Sequence, residues 1–99
     1  MFIALERLLN LEEGYRQVFR VQGRDVLLMV VEGRALLLES RCPHQGASLH
    51  NATLVGSVLR CARHGVEFDV ITGRALSASC ASLLQLPLAY EGDRVGIDL

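Results

Sequence analysis

The chain has 99 residues, a hydrophobic fraction of 51% and a net charge of −1, which predicts one filled domain and excludes a disordered chain. All its positive side chains are arginines and their charge is balanced, so no basic field exists to hold a nucleic-acid backbone. The longest apolar run near the start, VLLMVV, falls far short of the roughly 20 residues of a bilayer crossing. No export signal is evident either, and the expectation is a soluble, cytoplasmic domain.

In chain order, a short helical stretch is predicted around Leu8 to Glu13. Tyr15, Gln17, Phe19 and Val21 then alternate with Arg16 and Arg20, the period of a strand. The runs Val26 to Val31 and Ala35 to Leu38 follow, split by the EGR of a tight hairpin built on Gly33. Leu54-Val55 and Val58-Leu59 flank Gly56 as a second short hairpin. Leu86, Leu88 and Tyr90 lead into EGDR and then Val95, Ile97 and Leu99, a third hairpin. Glycines punctuate these segments beside polar residues. The fold class is all-β, a small antiparallel sandwich or barrel in a single domain over residues 1–99.

Two segments break the strand pattern. CPHQGASLH opens with Cys42 and His44, and CARHG contains Cys61 and His64. Both contain glycine and lie between strands, so they read as loops projected from one small β unit, able to converge on one point. Thiolates and imidazoles together suit a metal. Gly46 and Gly65, beyond the histidines, permit sharp turns and close approach of backbone N–H groups. Such donors solvate the negative charge of thiolates inside a fold.

A zinc site is one reading, since two Cys and two His form a common structural set. Against it, zinc fingers group Cys with Cys and His with His, and no basic recognition helix is present. A thiol enzyme is another, with Cys42 or Cys61 activated by a neighbouring His. Two near-equivalent pairs exceed what one nucleophile needs, however. Three cysteines are an odd number and do not suggest a disulfide framework.

The pattern C-x-H followed by C-x-x-H resembles the Rieske [2Fe–2S] family, in which His replaces Cys on one of the two irons. CPHQGASL is similar to that family's first loop and CARHGVEFDVITGRA to its second, while the flanking strands resemble it over most of the chain. The resemblance implies a [2Fe–2S] cluster, one per chain, in a cluster-binding subdomain at about residues 40–70. Cys42 and Cys61 would hold one iron, and His44 and His64 the outer one. High-potential members carry an extra Cys in each loop, where this chain has Ala47 and Arg63. They also place hydroxyls against the cluster, where Val66 and Phe68 stand here. Fewer hydrogen bonds to the cluster imply a low potential, about −150 mV.

A terminal oxygenase would need a further mononuclear iron, for which only His50 remains, and no nucleotide motif marks a built-in reductase. The resemblance therefore implies not an enzyme but a ferredoxin, carrying single electrons from a flavin-containing NAD(P)H-dependent reductase to a terminal Rieske oxygenase. An accessory subunit of a nitrite-reductase-like complex and a zinc-binding, non-redox module are the alternatives. Cys80 and Met29 are expected in the core and His50 at the surface. Arg41 and Arg63, beside the loops, are expected to be solvated charges or contacts to partner carboxylates.

Overall fold

The computed structural model describes residues 1–43, 48–62, 65–78 and 80–99, with only the backbone of His50. The strands are β1 (Phe2–Arg7), β2 (Arg16–Val21), β3 (Arg24–Val31), β4 (Arg34–Glu39) and β5 (Thr53–Val55), then β6 (Val58–Arg60), β7 (Glu67–Asp69), β8 (Gln85–Leu86), β9 (Ala89–Glu91) and β10 (Arg94–Asp98). They form three antiparallel sheets: a central one in the order β2-β3-β4-β8, a terminal one, β1-β10-β9, and a small one, β5-β6-β7. The helical expectation near Leu8 reduces to one 3-10 turn, Leu8–Asn10.

The continuous apolar run of β3 has a direct cause. Leu27, Met29 and Val31 belong to one buried cluster, shared with Leu59 and Phe68 of the small sheet. Val26 and Leu28 belong to another, shared with Val95 and Ile97 of the terminal sheet. Successive side chains of a strand point to opposite faces, so a strand covered on both faces has no polar positions to spare. Leu38 and Leu37 of β4 divide in the same way. The fold is thus a three-layer β sandwich with two cores, one on each side of the central sheet. Met29 lies in the core, as expected.

Two-residue turns set the registers. Gln22-Gly23 and Glu32-Gly33 both have positive φ at each position, 49° and 81°, then 52° and 74°. Such turns twist in the same sense as the strands they join. Gln22 and Glu32 lack glycine's freedom in this region. At the second turn, the carboxylate of Glu13 accepts from the N–H groups of Glu32 (2.9 Å) and Gly33 (2.8 Å) and holds the conformation. At Gly96 of β10 the constraint is space: a β-carbon there would lie 1.9 Å from the Ile3 carbonyl oxygen, beside the register shift between Ala4 and Glu6 of β1.

Candidate metal centre

The small sheet and the segment before it present two loops. The first follows β4: it leaves at Cys42 and is closed by an isolated antiparallel bridge between Arg41 and Ser48. The second joins β6 to β7, whose last pair is Arg60 with Glu67. Within it the Cys61 N–H donates to the Val66 carbonyl (2.9 Å), and the Gly65 N–H to the Cys61 carbonyl (2.9 Å). Each loop therefore has its two ends tied together beside its cysteine. Gly65 has φ +69°, a conformation that L side chains rarely adopt, so this turn favours glycine.

Cys42 and Cys61 are each 1% exposed and belong to the same buried cluster as Leu49, Leu59, Val66 and Phe68. The structure thus brings these two predicted ligands to one apolar core from two separate loops. A buried thiol in apolar surroundings is a soft donor sheltered from water, which suits iron or zinc and disfavours an exposed nucleophile. His44 and His64 lie outside the described residues, as do Ala47 and Arg63. Among the described residues no three His, Cys, Asp or Glu side chains assemble as a metal site. The three cysteines form no disulfide. Cys80, expected in the core, is instead half-buried against it.

The first loop is anchored by a residue without a signal in the sequence pattern. Arg16 of β2 reaches the 3-10 turn Leu49–Asn51, which follows the loop. Its guanidinium donates to the carbonyl of Leu49 (3.1 Å) and to that of Ala52. Burial lowers the pKa of this guanidinium from its ordinary value, yet arginine stays charged at any physiological pH. The tether links the central sheet to the loop-bearing layer. Beside Cys42 lies a cleft of about 270 Å³ lined by Glu39, Arg41, Pro43, Ser82 and Leu84. Leu84 is among the large apolar side chains left exposed.

Val66 and Phe68, at the close of the second loop and after it, are both buried. No helix among the described residues is long and apolar enough to cross a membrane.

Comparison with known proteins supplies the family context. The family model for the Rieske [2Fe–2S] domain matches residues 2–87. The ferredoxin component of a naphthalene 1,2-dioxygenase system from Pseudomonas aeruginosa is 36% identical over 93 residues, 93% of this chain and 89% of that protein. Among solved structures, a Sphingomonas yanoikuyae B1 ferredoxin superposes with a TM-score of 0.83 at 23% identity, over 100% of this chain and 99% of that one. A ferredoxin in complex with the oxygenase of carbazole 1,9a-dioxygenase gives 0.79 at 26% identity, over 94% and 97% of the two chains.

Proposed function

Because the chain belongs to the Rieske [2Fe–2S] domain family, its cofactor is a [2Fe–2S] cluster, and we propose that Cys42 and Cys61 hold one iron and His44 and His64 the other. The chain is an electron-transfer protein of the ferredoxin type and not itself an enzyme. We further propose a flavin-containing NAD(P)H-dependent reductase as its electron donor, a terminal Rieske oxygenase as its acceptor and the cytoplasm as its location. The naphthalene and carbazole relatives serve dioxygenase systems, which supports the acceptor.

The observation that carries the ligand assignment is the pair of thiols, each at the start of its own loop and both buried in one apolar core. When bound, the cluster takes up and gives back a single electron. The protein's own share is threefold. Cys42 and Cys61 supply anionic sulfur from the dry side of the site. Val66, Phe68 and Leu59 exclude water around that sulfur, which disfavours the added negative charge of the reduced state. The Arg16 tether and the Arg41–Ser48 bridge tie the segments on either side of the first loop to the rest of the fold.

Iron, zinc and acid-labile sulfide per chain on anaerobically purified protein test this reading. Two irons and two sulfides are expected, lost on Cys42→Ser, His44→Ala, Cys61→Ser or His64→Ala in protein that remains folded. One zinc without sulfide would overturn the carrier function. An empty site that does not reconstitute with iron and sulfide would instead favour an accessory subunit.

A further inference from the structure

A cavity of about 280 Å³ lies between the Gln22-Gly23 turn and the start of the first loop. Arg20, Arg24, Asp25, Glu39, Ser40 and Arg41 line it. Two of its guanidinium groups are already paired, Arg20 with Asp25 at 3.1 Å and Arg24 with Glu39 at 2.8 Å. Arg41 has no ion pair among the described residues. Three arginines against two carboxylates leave one positive charge in excess on the wall. A second observation is independent of charge. Ser40 is only 5% exposed, and its buried Oγ has no hydrogen-bond partner among the described residues. Its backbone N–H is satisfied, donating to the Asp25 carbonyl at 2.8 Å. A buried hydroxyl left without a partner is costly, and native structures seldom keep one without a reason.

We propose that this cavity is a binding site for a carboxylate, supplied by an Asp or Glu side chain of a protein that docks beside the first loop. The Ser40 hydroxyl donates to one carboxylate oxygen, and the Arg41 guanidinium supplies a charge-assisted bond to the group. A single excess positive charge matches a monoanion and leaves the second charge of a phosphate dianion uncompensated. The place of the cavity indicates who brings the carboxylate. Arg41 and Ser48 are both on its wall and together form the bridge that closes the loop opening on Cys42. An occupant is therefore held next to the loop that an electron partner has to approach. Only this choice of source rests on the electron-carrier reading.

The test is an NMR titration of the ¹⁵N-labelled, cluster-loaded protein at constant ionic strength. The probes are acetate, phosphate and the N-methylamide of N-acetylaspartate, which presents an aspartate side chain on a peptide backbone. Saturable shifts of the Gly23, Arg24 and Asp25 amides are expected with acetate and with the aspartyl probe. Arg41→Gln is expected to weaken both about tenfold. Ser40→Ala also weakens binding while leaving the unfolding midpoint unchanged or raised, since it deletes an unsatisfied hydroxyl. A serine with a structural partner would instead lower that midpoint when removed. The absence of saturable shifts, or shifts equal in both variants, overturns the site. Phosphate binding as tightly as acetate overturns the assignment to a monoanion. Acetate binding without the aspartyl probe overturns the protein source. None of these readings depends on electron transfer, and failure of the carrier function is read separately from iron and sulfide content.

Discussion

Single side chains decide much of the behaviour expected here. Arg41 sits on the rim of both cavities that flank the first loop. Arg41→Glu is therefore expected to slow electron delivery to the proposed oxygenase acceptor at low salt by about tenfold or more. The midpoint potential should stay in place, because the residue ligates nothing. Equal rates in stopped-flow measurements would remove Arg41 from the docking surface. Glu6 offers a pH-dependent case. Its carboxylate accepts from Asn10 (2.9 Å), from the Arg7 N–H (2.8 Å) and from the Tyr15 hydroxyl (2.8 Å), and its pKa is lowered from 4.5, first by the Asn10 bond. The folded state thus prefers the ionised form. The stability this adds is complete above pH 4.5 and is lost as the pH falls through the lowered folded value. Urea unfolding of the native protein and of Glu6→Gln should differ at pH 7 and converge in acid. The four proposed ligands are legible in sequence because each pair is local, Cys and His a residue or two apart. Arg16 and Ser40 are not. Arg16 serves carbonyls 33 or more positions away, and Ser40 matters through a cavity that exists only once two turns have folded.

At the level of elements, positions of close approach and tethers between layers matter most. Gly96 packs against the Ile3 backbone, where no flexible side chain can give way. Gly96→Ala should therefore separate β1 from β10 and cost at least about 1–3 kcal/mol, read by denaturant unfolding. Arg16→Met keeps most of the stem but strips two carbonyls of a charged donor. A loss of about 2 kcal/mol, felt by the layer that carries the loops, is expected. The measurable sign is faster bleaching of the cluster's visible absorbance under mild denaturant, with the terminal sheet intact. The apolar runs of β3 and β4 and the Gly33 turn are directly legible, since their lengths and the glycine between them agree. β1 carries no strand signal in the sequence. Its apolar residues are adjacent rather than alternating, and its partner lies at the far end of the sequence. β7 is three residues long, too short to show a period.

For the molecule as a whole, the apolar surroundings of Cys42 and Cys61, with Val66 and Phe68 in the same core, are expected to hold the potential low. A midpoint of about −150 mV is expected by spectroelectrochemical titration, and a value well above zero would mean that donors other than these side chains solvate the cluster. That the central sheet is shared by two cores was hidden from sequence, because an apolar run does not say what covers each face. The pairing of β1 with β10 has a consequence in time. A ribosome delivers β1 well before β10, and at about 5–20 residues per second the interval is roughly 5–20 s. Throughout it Phe2, Ile3 and Leu5 have no partner strand, while the hairpins of the middle can close within microseconds. The nascent chain therefore completes its loop-bearing layer first and seals its opposite face only once β10 has emerged, which makes the β1 segment the place where a chaperone would find this fold unfinished.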